Sequence, residues 1–337
     1  QHVWFLALMA GFGAAVALWF TATNDWREYP ANWSGLTQLG VMIQRALPNV
    51  PGHRLNPNVV GGLIAPMAPA GMALATLGVR RGRNQIGWSI WGAATCALMA
   101  LGLTLSSSRG AWLAVAASGG LAAAWWLAGR IRRGRQAWLF LGLVGLAGLA
   151  GALALVALPP LRTMAWQSEP VRNRLAIFSQ SALLARDYVY TGCGLGTFPL
   201  VHSTYALLIH VPVLVHTHAF PLDVVVEQGI FGALALMGVW IGAGWLALRA
   251  LSRSRDAAPG LTAGTLALVA VVVHGLVDDA LYGSRGLLLM WLPVGLIVAA
   301  LPERARATNS AAAPMPARRR RLIIGATAAL IIVALAA

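Results

Sequence analysis

LTLSSSRGAWLAV, residues 103–115, carries Arg109, the one acidic or basic side chain between Asn84 and Gly129. A helix needs ~20 apolar residues to cross the hydrocarbon core of a bilayer. An arginine at the centre of that core costs about 2.5–3.5 kcal/mol even on a lenient insertion scale. The serines and the arginine therefore read as the tip of a hairpin between spans at 85–105 and 110–128. There the guanidinium reaches the interface, and a snorkelling anchor is its simplest role. Placing this tip sets the phase of every other connection in the chain.

Of 337 residues, 58% are hydrophobic and 10% charged, and the mean hydropathy is +0.69. Soluble domains carry about 25% charge, so the pattern is that of an integral membrane protein. The expected fold is all-α, a polytopic bundle of nine spans at 3–22, 59–79, 85–105, 110–128, 137–157, 222–248, 261–280, 286–301 and 322–337. The chain opens and closes inside apolar runs and has no signal-peptide pattern, so it reads as one membrane domain over 1–337 that lacks spans at one or both ends. The cysteines, Cys96 and Cys193, offer no disulfide or metal framework.

The net charge of +15 comes from arginine alone, since the chain has no lysine. In a soluble protein such charge would suggest nucleic acid; here its placement argues against that. Sixteen arginines fall in one alternating set of short connections: Arg80, Arg81 and Arg83, the 130–135 cluster, Arg249, Arg253 and Arg255, and the group from Arg304 to Arg321. The positive-inside rule makes that set cytoplasmic, including a basic linker at 303–321. Eight of the ten acids lie on or near the opposite, periplasmic side. Two connections on that side are long, 23–58 and 158–221. In the second, VRNRLAIFSQSALLARD reads as an amphipathic helix with Leu175, Phe178, Ala182 and Ala185 on one face and Arg172, Arg174 and Arg186 off it.

The chemistry-bearing residues gather on this outer side. All histidines except His2 lie there, and VHTHAFPLDVVVEQGIFG (215–232) leads from the large loop into a span. His216 and His218 share a side if the backbone is extended. They read as a general base, as interfacial histidines, or as half of a metal pair for which no completing ligands are spaced. GCGLGTF (192–198) lacks the strand and helix of a nucleotide fingerprint; it forms a turn or lets amides approach an anion. Asp278, Asp279 and Arg285 stand at an outer span end, either as functional acids or as a local ion pair. Arg109, Arg172 and Arg174 are placed to converge on a negative group at the membrane surface. Arginine forks suit diphosphate oxygens, and attack by a histidine-activated hydroxyl on a diphosphate-activated substrate needs no ATP and no cofactor.

The ordered pieces NPNVVGGLIAPMAP (56–69), LSSSRGAWLA (105–114), RLAIFSQSALLARDYVYTGCGLGTF (174–198), HTHAFPLDVVVEQGIFG (216–232) and VHGLVDDAL (273–281) resemble the O-antigen ligase and polymerase superfamily of membrane glycosyltransferases. The resemblance implies an inverting, metal-independent transfer at the periplasmic face of a bacterial inner membrane. The implied donor is an undecaprenyl diphosphate-linked glycan. The implied acceptor is lipid A core or, alternatively, a growing polysaccharide or a protein hydroxyl. Arg109 and Arg174 match the family's diphosphate-binding arginines, with Arg172 as a neighbour, and His218 matches its histidine, with His216 as a substitute. Asp278, Arg285 and Glu227 are possible supporting residues, Glu227 in a structural E-x-G turn. Ala219 departs from the asparagine usual after that histidine, and Phe178 stands where tryptophan is frequent. The reading from a different class is a membrane transporter or anion-binding protein. It is disfavoured because the polar residues concentrate at one face rather than at the midplane.

Overall fold

A computed structural model of the chain describes residues 2–31, 33–46, 54–77, 85–130, 169–205, 214–253, 259–282 and 287–301. The described residues up to Ala299 make one compact unit. They are helical, with no strand among them. In chain order the helices are α1 (His2–Thr23), α2 (Ser34–Ala46), α3 (Pro57–Ile64), α4 (Ala68–Ala75), α5 (Ile86–Ser106), α6 (Arg109–Arg130), α7 (Glu169–Asp187), α8 (Phe198–Tyr205), α9 (Phe220–Arg253), α10 (Pro259–Gly275) and α11 (Leu292–Ala300), the last preceded by a 3₁₀ turn at Leu287–Trp291.

Among the described residues, four helices are long and apolar enough to cross a membrane: Val3–Thr23, Ile86–Ser106, Arg109–Leu127 and Phe220–Ser252. They correspond to four of the nine expected spans. The expected span 59–79 is a pair of short helices, α3 and α4, bent by 40° at a short break. Pro66 lies in that break and Pro69 in the first turn of α4, and together they remove two backbone donors. The expected spans 261–280 and 286–301 appear as shorter apolar helices. Those at 137–157 and 322–337, and the linker 303–321, lie outside the described residues. The arginines assigned to the cytoplasmic side fall mostly outside them too, so the charge bias remains a reading of the sequence.

The core joins α1, α3, α4, α5, α6 and α10, with Leu6, Phe20, Val60, Ile64, Met67, Leu74, Met99 and Leu105 buried in one cluster. Around α7, α8 and α9 a smaller cluster is centred on Leu184, Phe198 and Val226. These two clusters carry the candidate site between them.

Candidate active site

At the hairpin tip, α5 stops because Ser107 adopts a left-handed conformation (φ 53°), its amide donating to Thr104. Ser108 then caps α6: its hydroxyl accepts the Ala111 amide at 3.4 Å and its carbonyl accepts Trp112. Arg109 is thus the first residue of α6, and it is exposed. Gly110 beside it lies against the loop after α10, where a Cβ would stand 2.8 Å from Val277 Cγ2. Gly61 and Gly62 of α3 make similarly close approaches, to Ser108 and Ala111 and to Ala280 and His274. Three of the sequence pieces quoted above therefore meet around α3, the hairpin tip and the VDDAL loop.

α7 forms where a helix was expected, but its buried face is turned. Ser181 and Leu184 are fully buried, with Ile177, Phe178 and Ala185 partly so, whereas Leu175 and Ala182 are exposed. Arg174 lies on the inward stripe, three, four and seven residues before Ile177, Phe178 and Ser181, not off it. It donates through Nη1 to the Val277 carbonyl and pairs through Nη2 with Asp278 Oδ2 at 3.6 Å. Apolar periodicity misplaced the face because its centre is a serine. Arg172, two residues earlier, is exposed.

The loop 214–219 is a turn rather than an extended strand. His218 has φ +60°, and its amide donates to His216 Nδ1 at 3.2 Å, with the two rings edge-on at 4.3 Å. An Nδ1 that accepts leaves the His216 proton on Nε2. Burial, with the neighbouring His218, pushes His216 down to about 4, so it is neutral at physiological pH. His218 Nδ1 lies 3.3 Å from Asp278 Oδ1. A carboxylate there holds the proton on Nδ1 and leaves the Nε2 lone pair free. Asp278 stands in the loop beyond α10. Burial alone would raise it, but the His218 ring and the Asp279 amide, at 2.8 Å, outweigh that and hold it below the ordinary carboxylate range. One carboxylate thus serves both Arg174 and His218. Arg285, its other expected partner, lies outside the described residues.

Two further acids, Asp223 and Asp279, are buried behind this group. Asp223 Oδ1 accepts the Thr217 amide at 2.8 Å, and Asp279 Oδ1 accepts the Tyr282 amide at 2.9 Å. Sequence reasoning passed over Asp223 and gave Asp279 no role of its own. Asp223 resembles an ordinary acid in the first turn of a helix, and Asp279 is shadowed by its neighbour. The available signal was an acid five residues after His218 at the mouth of a span. A crevice of about 10 Å³, room for one water, lies beside His274, Asp278 and Asp279.

Glu227 is buried and structural in its contacts. It accepts the Tyr282 hydroxyl at 2.9 Å and the Phe198 amide that opens α8 at 3.3 Å. Two residues on, α9 breaks at Gly229 (φ 68°). The carbonyls freed there are taken by the glycine loop: Cys193 N donates to Val226 and Gly194 N to Glu227, at 2.8 and 3.0 Å. A Cβ on Gly192 would stand 2.2 Å from the Glu227 carbonyl. GCGLGTF is therefore a backbone splint for the broken helix. Residues 230–253 beyond the break span roughly 35 Å at 1.5 Å per residue, the thickness of a bilayer core with its margins.

His216, His218 and Asp278 form one group of metal-capable ligand atoms, and His216, Asp223 and Asp279 a second. In both, the His216 Nδ1 lone pair already accepts an amide, so ligation through that atom would break the turn.

Residues 94–237, a little under half of the chain, match the O-antigen ligase family model, that of a glycosyltransferase-like family of membrane enzymes. The matched segment contains Arg109, Arg174, His216, His218 and Glu227; Asp278 lies beyond it. A search of curated proteins found no match.

Proposed function

We propose that the protein transfers a glycan from an undecaprenyl diphosphate carrier to an acceptor hydroxyl at the periplasmic face of the inner membrane, with inversion at the anomeric carbon. The observation that carries this reading is the shared Asp278, which sets a cation and a basic imidazole nitrogen side by side. His218 Nε2 takes the proton of the acceptor hydroxyl as its oxygen attacks the anomeric carbon. The bond from that carbon to the diphosphate breaks, and its electron pair leaves on the diphosphate. Arg174 and Arg109 stabilise that growing charge. Arg109 is well suited, because the start of α6 already favours an anion through its free amides and dipole. Arg172, exposed two residues before Arg174, is a neighbouring cation that this step does not use. His216 is neutral with its Nδ1 occupied, which makes it a support for the turn rather than the base.

Lipid A core is the preferred acceptor, by the prevalence of ligases in the family; a growing polysaccharide and a protein hydroxyl are the alternatives. The test is transfer by the purified full-length protein from an undecaprenyl diphosphate-linked glycan, offered each acceptor in turn, with and without EDTA. Activity that survives EDTA and is lost in both Arg174→Ala and His218→Ala is the expected result. Full activity in either variant overturns the mechanism. Donor binding without transfer to any acceptor returns the anion-carrier reading.

A further inference from the structure

The turn that presents His218 is left-handed at a non-glycine residue, so something must hold it. Its centre, Thr217, is fully buried and is tied by its amide to Asp223 Oδ1. The other oxygen, Asp223 Oδ2, is buried with no donor among the described residues. Asp279, itself 6% exposed, brings a carboxylate oxygen within 4.8 Å of one of Asp223. Two facing carboxylates in such surroundings repel strongly when both are ionised. No cation among the described residues relieves them. Arg174 is committed to Asp278 and Val277, and His216, the nearest ring, is neutral. The other titratable groups around the pair are His218, Glu227, Tyr282, Asp278 and His274.

We infer that Asp223 and Asp279 share one proton and, through it, fasten the His216–His218 turn to the loop after α10, which makes them positioning residues for His218. The chain of contacts runs from the Tyr282 amide through Asp279, the proton and Asp223 to the Thr217 amide. It crosses from the loop that carries Asp278 to the loop that carries His218, so it fixes the distance between the two. Burial and the facing Asp223 push Asp279 up, so the proton rests on Asp279.

The role of the pair in catalysis rests on the function proposed above, but the shared proton does not, and the test separates them. In Asp279→Asn the amide replaces the protonated acid and donates to Asp223. In Asp223→Asn the amide oxygen keeps the Thr217 bond while its NH₂ donates to Asp279. In the double variant both amide oxygens are held by backbone amides, and two NH₂ groups face each other. Infrared spectra of the purified wild-type protein should show the carbonyl stretch of a buried protonated carboxyl, lost in each single variant. Transfer from an undecaprenyl diphosphate-linked glycan should stay within about threefold in each single variant. In the double it should fall about tenfold or more, in kcat and with donor KM unchanged. Absence of the carbonyl band in the wild type, or a double variant as active as the singles, overturns the inference. So does a chelator that lowers the wild-type Tm, since that would put a cation between the carboxylates. A wild type with no transfer defeats the functional reading alone, and the infrared result still decides the proton.

Discussion

Arg174 and Arg109 are the same residue type in sequence pieces of equal weight, and they end in opposite circumstances. Arg174 is half-buried on the inward stripe of α7, bound to a carbonyl and to Asp278. Arg109 stands exposed at the head of α6, and no described carboxylate pairs with it. The first is a cation built into a network that also orients His218. The second is a cation held ready by a helix start. A built-in arginine depends on the geometry of its fork, because one plane must serve two acceptors, whereas a free one depends mainly on its charge.

The largest effect should therefore come from Arg174. Arg174→Ala removes a donor to the leaving group and strips Asp278 of its cation. Transfer should fall by about 10²–10³-fold or more, and Arg174→Lys should recover little. His218→Ala should fall in the same range. Arg109→Ala should cost less and act mostly through donor KM, with a loss that deepens at high salt because the guanidinium is exposed. Arg109→Lys should recover most of the activity. Initial rates over a donor series for the four arginine variants check the contrast. Equal rescue by lysine at both sites would break the comparison.

A second test bears on the scaffold that sets Arg174 in place. Gly192 has φ +69°, and a Cβ there would run into the Glu227 backbone. Gly192→Ala should destabilise the protein by about 1–3 kcal/mol, read as a lower Tm in detergent. Gly35 has open space around it, and Gly35→Ala should leave the site end of the bundle intact. The pH dependence follows from His216. Its folded value is about 4 against a reference of 6.5. Between those values the unfolded chain takes up a proton that the folded chain refuses. The His216 contribution to stability should thus be full above pH 6.5 and be lost as pH falls toward 4. The decline should be shallower in His216→Gln.

What the sequence disclosed divides along physical lines. Long apolar runs and the hairpin tip were legible because hydropathy and the cost of a buried charge act locally. The pieces that meet at the site were legible as an ordered set. The inward face of α7 was not, since Ser181 at its centre breaks the apolar period and Arg174 is drawn inward by Asp278 from another element. The left-handed His218 was hidden for a similar reason: the turn is held by Asp223 and Thr217, and no glycine marks it. Asp278 could be named as a suspect, but its partners come from α7 and from the loop before α9, contacts that a one-dimensional pattern does not carry.

Ala219 is the smallest and most informative case. It precedes α9 directly, and its carbonyl accepts the amides of Leu222 and Asp223 at 2.8 and 3.0 Å. That is the N-cap position; Pro221 has no amide and the Leu222 amide is already bonded, so an asparagine side chain there would share the Leu222 amide. An asparagine at this position, which the resemblance leads one to expect, would stand at the start of the helix beside the histidine. In this chain the Thr217 hydroxyl instead bonds the Ala219 amide and carbonyl, at 3.1 and 3.0 Å, and Asp223 supplies the negative end favoured at a helix start. Ala219→Asn should then change transfer by less than about threefold while adding up to about 1 kcal/mol of stability. Thr217→Val, which removes the substitute, should lower transfer when alanine stands at 219 and less so when combined with Ala219→Asn. If Ala219→Asn alone raised transfer by an order of magnitude, the asparagine would touch substrate, and the cap reading would fail.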